Sequence, residues 1–90
     1  MTETQLSRKV LNYLNSLPSC KAIKIHGSAY QEAGTPDILC CHKGHLVFIE
    51  LKVSNNEPTN IQLTRLCQWE LAGATATVCW SLDEVKNLIH

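Results

Sequence analysis

Apolar residues recur every three or four positions at Leu6, Val10, Tyr13, Leu14 and Leu17. That spacing predicts a helix from Glu3 to Leu17 with one buried stripe. Pro18 ends it, because proline has no N–H to donate and its ring disrupts the turn before it. From Lys21 to His26 the period drops to two, with Ala22, Lys24 and His26 set against Lys21, Ile23 and Ile25, the pattern of a half-buried strand. Gly27 to Pro36 reads as a loop. Asp37 to Cys41 is a second strand and His45 to Val53 a third, the most apolar segment of the chain. His42-Lys43-Gly44 between them predicts a hairpin turn, with Gly44 free to take a positive φ.

Ser54 to Pro58 is a second loop. Thr59 has the oxygen to cap a helix that runs to Gly73, with Leu63, Leu66, Cys67 and Leu71 as its inner stripe. Thr75 to Trp80 is a short last strand. Ser81 and Glu84 have capping-box spacing and open a final helix that buries Val85, Leu88 and Ile89. The order is α-β-β-β-α-β-α, an α/β fold with a mixed sheet flanked by helices. Ninety residues give room for one domain, 1–90, and one core of modest size. The sequence shows no repeat, low-complexity tract or long linker.

Alternation along the third strand has a chemical consequence. Val47, Ile49, Leu51 and Val53 share one face, and Leu46, Phe48, Glu50 and Lys52 share the other. Both faces begin apolar, so the strand is central, yet an acid and a lysine stand together at its end. A charge there needs a partner. Lys52 is one candidate, giving a plain ion pair on a sheet face. A metal ion is another, because hairpin pairing brings Asp37 opposite the Glu50 region. Two converging carboxylates make a hard-oxygen site suited to Mg²⁺ or Mn²⁺.

Composition adjusts this picture little. Formal net charge is zero, which weighs against a nucleic-acid binder. Hydrophobic residues make up 44%, ordinary for a globular protein. No apolar run approaches the roughly 20 residues of a membrane span, and the polar N-terminus lacks a signal-type stretch. The five cysteines are odd in number, form no C-x-x-C pair and mostly lie among apolar residues. They predict free thiols in a reducing, intracellular compartment. Cys40-Cys41-His42 with His45 offers zinc-type ligands, but adjacent strand residues point to opposite faces.

Pro36-Asp37 followed across a hairpin by Glu50-Leu51-Lys52 resembles the PD-(D/E)xK nuclease signature. The longer string, Gly34-Thr35-Pro36-Asp37-Ile38-Leu39 through Glu50-Leu51-Lys52 to Gln62 and Trp69, resembles the VRR-NUC branch of that superfamily. The resemblance implies that Asp37, Glu50 and the main-chain carbonyl of Leu51 bind the metal, and that Lys52 positions or activates the attacking water. It implies that Gln62 projects into the site to hold a metal-bound water or a phosphate, and that Glu3 supplies an acid near a second metal position. From the residues alone, Gln62 equally closes a capping box with Thr59. Glu3 is equally an acid favoured by a helix N-terminus.

The remaining candidates are open. Trp69 suits the core or an interface better than base stacking. Lys21, Lys24, His26 and Lys43 either meet phosphates or are solvated strand edges. Tyr30 and Gln31 either reach DNA or a second subunit. The expected activity is metal-dependent hydrolysis of phosphodiester bonds in branched DNA. Stand-alone members of the branch resemble Holliday junction resolvases, often virus-encoded. They imply a homodimer, which presents two equivalent sites to a four-way junction. Flap or other structure-specific cleavage is the alternative, and a non-catalytic DNA-binding module is the third reading.

Overall fold

Helix α1 (Glu3–Ser16) starts where Thr2 and Gln5 close a capping box and stops at Leu17, whose extended backbone leads into Pro18. The computed structural model describes residues 1–26 and 32–90. Strands β1 (Cys20–Lys24), β2 (Ile38–His42) and β3 (His45–Leu51) follow, then α2 (Asn60–Leu71), β4 (Thr75–Cys79) and α3 (Leu82–Leu88). The expected element order holds, and the sheet is mixed. Its strand order is β1-β2-β3-β4, with antiparallel pairing except between β3 and β4, which run parallel through the α2 crossover.

Residues β2 and β3 pair from Ile38↔Ile49 to His42↔His45 around a two-residue turn. Lys43 and Gly44 both have positive φ, 52° and 81°, the primed-turn geometry whose twist matches that of the flanking strands. Extending this register by one residue sets Asp37 against Glu50.

The two sheet faces bury different partners. Val47, Ile49 and Leu51 pack with Ile38 and Cys40 under Leu6, Val10 and Leu14 of α1 and Val85 of α3. Phe48 packs with Leu66 and Ala76 under α2. Glu50 therefore lies on the α2 face.

The structure revises several local expectations. Strand β1 starts and ends earlier than the pattern implied, and Ile23 is exposed on it. In α2 the inward face is Gln62, Arg65, Leu66 and Trp69. Leu63 and Leu71, expected inside, are 47% and 84% exposed, and Cys67 is exposed as well. The apolar stripe is present, but among the described residues none covers it. Trp69 is only partly exposed and stacks on Phe48 with ring centroids 4.1 Å apart, a core contact. Cys41 and Cys67 are exposed, whereas Cys40 and Cys79 are buried. Glu84 bonds the N–H of Trp80, so the expected reciprocal box with Ser81 is only half formed.

The segment entering β2 is fixed against α2. Gly34 has φ +81°, and a Cβ there would lie 2.8 Å from the Ile61 main-chain oxygen. Arg65 donates to the Ala33 carbonyl and pairs with Glu32, both at 2.9 Å. Pro36 is fully buried. Gly34→Ala combines an unfavourable φ with a main-chain clash. It is expected to destabilise by about 1–3 kcal/mol, or roughly 5–20 °C in Tm. Thermal unfolding followed by circular dichroism checks this.

Candidate active site

Strand alternation places Glu50 at the end of β3 with 2% of its surface exposed. Its Oε2 is 3.7 Å from Lys52 Nζ and accepts a 3.4 Å hydrogen bond from Gln62 Nε2. Among the described residues, Oε1 is buried with no hydrogen-bond partner. Both contacts to Oε2 are long, so the carboxylate is poorly compensated, a costly state for a buried charge.

Asp37 enters from the start of β2. Its Oδ2 accepts the Leu51 N–H at 2.8 Å, tying it to the residue between Glu50 and Lys52. Its own carbonyl accepts the Ile25 N–H at 2.7 Å. Glu3, in the first turn of α1, comes around the end of the sheet. Carboxylate oxygens of Glu3, Asp37 and Glu50 all lie within 4.8 Å of one another. Among the described residues this is the one such group of potential ligands, and the Cys40-Cys41-His42 stretch forms none.

The start of α2 gives the two ends of the Gln62 amide different partners. Gln62 Oε1 accepts the Thr59 N–H at 2.9 Å, closing the capping box, while its Nε2 turns to Glu50. The capping and site-facing readings are thus compatible, one using each end of the amide. The residue pattern alone does not show that Arg65 and the Thr2–Gln5 box support the site. Arg65 holds the segment leading to Asp37, and the box fixes the turn that carries Glu3. The second was visible as Thr-x-x-Gln spacing. Tyr30 and Gln31 lie outside the described residues.

Burial, first, and the neighbouring Asp37 carboxylate, second, push Glu50 from its ordinary 4.5 up to about 8, with Lys52 pulling the other way. The donor set suits a hard divalent cation: three carboxylates, one of them with a buried, unbonded oxygen. Positive charge there would compensate Glu50 and oppose the repulsion among the acids.

The fold has relatives among solved structures. A VRR_NUC domain matches with TM-score 0.80 and 25% identity over 96% of this chain and 91% of its own length. A VRR_NUC domain protein matches with TM-score 0.79 and 21% identity over 98% of this chain and 84% of that one. Hjc of Archaeoglobus fulgidus, a Holliday junction resolvase from an archaeal hyperthermophile, matches with TM-score 0.67 and 22% identity over 87% of this chain and 67% of that one. No family model and no curated protein matches the sequence. The likenesses in structure support a VRR-NUC domain, in agreement with the resemblance carried by Gly34–Asp37 and Glu50–Lys52.

The Glu50 carboxyl binds its proton more tightly in the folded chain than in the unfolded one. Metal-free stability should therefore fall as pH rises from about 4.5 to about 8. The loss is on the order of 3–5 kcal/mol. Glu50→Gln should be more stable than the parent at the alkaline end in EDTA and match it at the acid end. Added Mn²⁺ should raise the parent's Tm most at the alkaline end and leave Glu50→Gln nearly unmoved. Thermal melts with and without metal check both signs.

Proposed function

We propose that this chain is a divalent-metal-dependent, structure-specific DNA endonuclease of Holliday junction resolvase type, acting as a homodimer on four-way junctions. The single observation that carries the reading is the under-compensated Glu50 carboxylate, gathered with Asp37 and Glu3 and bordered by Lys52 and Gln62. The fold shared with VRR_NUC domains and with a resolvase supports it.

Asp37, Glu50 and the Leu51 main-chain carbonyl would hold Mg²⁺ or Mn²⁺, with Glu3 available at a second position. A cation held there would supply positive charge and would make a bound water more acidic. The chain's own groups do the rest. Lys52 orients the attacking water for in-line approach, and its ammonium offsets the charge that grows on the phosphoryl oxygens. Gln62, braced by its own helix cap, donates toward a water or a phosphate oxygen with the amide that reaches Glu50. No covalent intermediate is required.

A homodimer is supported by the outward apolar strip of α2, Leu63, Cys67 and Leu71, beside the open edge of β4. A second copy would cover this strip and set two cleavage sites about a two-fold axis. Among the described residues no helix is long and apolar enough to cross a membrane. Free thiols, including buried Cys40 and Cys79, suit the interior of a cell. The host of a virus fits the branch that the sequence resembles.

Labelled four-way junction, flap and plain duplex DNA, each with Mg²⁺, Mn²⁺ or EDTA, test the reading. Paired symmetric nicks in the junction are expected with either metal and none with EDTA. Asp37→Ala and Lys52→Ala should each cut at least about 100-fold more slowly. Cleavage confined to flaps would move the function to flap processing with the same site. A folded protein that binds the junction and cuts nothing would sink the enzyme reading and leave a DNA-binding module.

A further inference from the structure

A second feature occupies the same end of the sheet, on the opposite face from Glu50. Between the first half of α1 and the end of β1 lies a cleft of about 360 Å³ lined by Thr4, Ser7, Arg8, Leu11, Lys24 and His26. A single water needs about 30 Å³, so the space suits a larger guest. Its charged groups are Arg8 and Lys24, with the His26 imidazole beside them. Among the described residues neither Arg8 nor Lys24 has an ion-pair partner. Ser7 is 3% exposed, and its hydroxyl is buried with no hydrogen-bond partner among the described residues. A hydroxyl left unbonded in the interior costs free energy unless something outside the protein bonds it.

The position of this cleft ties it to the acids. Thr4 follows Glu3 along α1, and the residue between Lys24 and His26 donates its N–H to the Asp37 carbonyl. A cation-lined cleft next to a cluster of carboxylates fits an anion that extends past the acids. The geometry points to the cleft as the seat of a DNA backbone phosphate flanking the scissile one, bound by Arg8 and Lys24 and bonded by the Ser7 hydroxyl. The assignment rests on the DNA-cleaving reading above. It also separates the scattered cations of the sequence. Lys24 and His26 share the α1 face and the cleft, whereas Lys21 alternates to the other face and Lys43 sits in the hairpin turn.

Ser7 makes the inference testable. If nothing bonds its hydroxyl, Ser7→Ala should be neutral or stabilising and leave DNA binding alone. If a phosphate accepts from it, DNA binding should weaken by a factor of roughly 3–10 while Tm holds or rises. The junction's dissociation constant is measured by fluorescence anisotropy in EDTA between about 50 and 200 mM salt. The expected result for Arg8→Ala/Lys24→Ala is at least about ten-fold weaker binding and a salt slope shallower by about 2. Cleavage in Mg²⁺ should show raised KM with kcat kept at saturating DNA. Lys21→Ala/Lys43→Ala, which alters the same charge elsewhere, should keep wild-type affinity within about two-fold. A wild type that binds and cuts, with Ser7→Ala and Arg8→Ala/Lys24→Ala indistinguishable from it, overturns the cleft alone. A wild type that neither binds nor cuts DNA overturns the nuclease reading and the cleft with it.

Discussion

A carboxylate on the most apolar strand of the sheet is the constraint around which the rest is arranged. Glu50 is desolvated by the sheet and by α2, yet its ionised form receives only two long contacts, and one of its oxygens receives none. Filling the position with an apolar side chain would relieve that cost. Placing Asp37 beside it does the reverse, because a neighbouring carboxylate raises the proton affinity of Glu50 further. Such an arrangement is relieved by a proton or by positive charge from outside the chain, so binding of a cation there would be linked to the folding free energy.

Several otherwise unrelated details serve to keep the acids together. The Leu51 N–H fixes the Asp37 carboxylate, and the Ile25 N–H fixes its main chain. Gly34 lets the preceding loop pass against the first turn of α2, and Arg65 grips that loop from the second turn. The same helix start orients Gln62. One helix therefore sets both the strand that delivers Asp37 and the amide that approaches Glu50. The neutral net charge is likewise uninformative as a total: acids gather on one side of a sheet end, with Arg8 and Lys24 on the other.

Much of this could be read from residue order. The hairpin was legible because strand periodicity and a short turn at His42-Lys43-Gly44 bring Asp37 opposite the Glu50 region; the exact register was not, because His42 joins the ladder opposite His45 and leaves a turn of two residues. The pairing of Thr59 with Gln62 was legible as spacing, but not that one amide could cap a helix and face an acid at once. The inner face of α2 was misread for a physical reason. Apolar periodicity reports where a helix is greasy, not which surface its own chain covers, and Leu63, Cys67 and Leu71 point outward. The stacking of Phe48 on Trp69 and the cleft around Ser7 join segments far apart in sequence, and no local pattern announces them.

The tight turn at Lys43-Gly44 also restricts how this chain can change length. Between Asp37 and Glu50 every residue is either paired in the ladder or part of the turn, so no slack exists to absorb an insertion. Adding a single residue to β3 before Glu50 would rotate its carboxylate into the layer of Leu6, Val10 and Val85, where no cation could reach it. Adding one on β2 would draw Asp37 away from the Leu51 N–H. Descendants of this sequence can drift widely in composition, but between these two acids they can lengthen or shorten only by matched steps on both strands, or by a bulge that restores the phase.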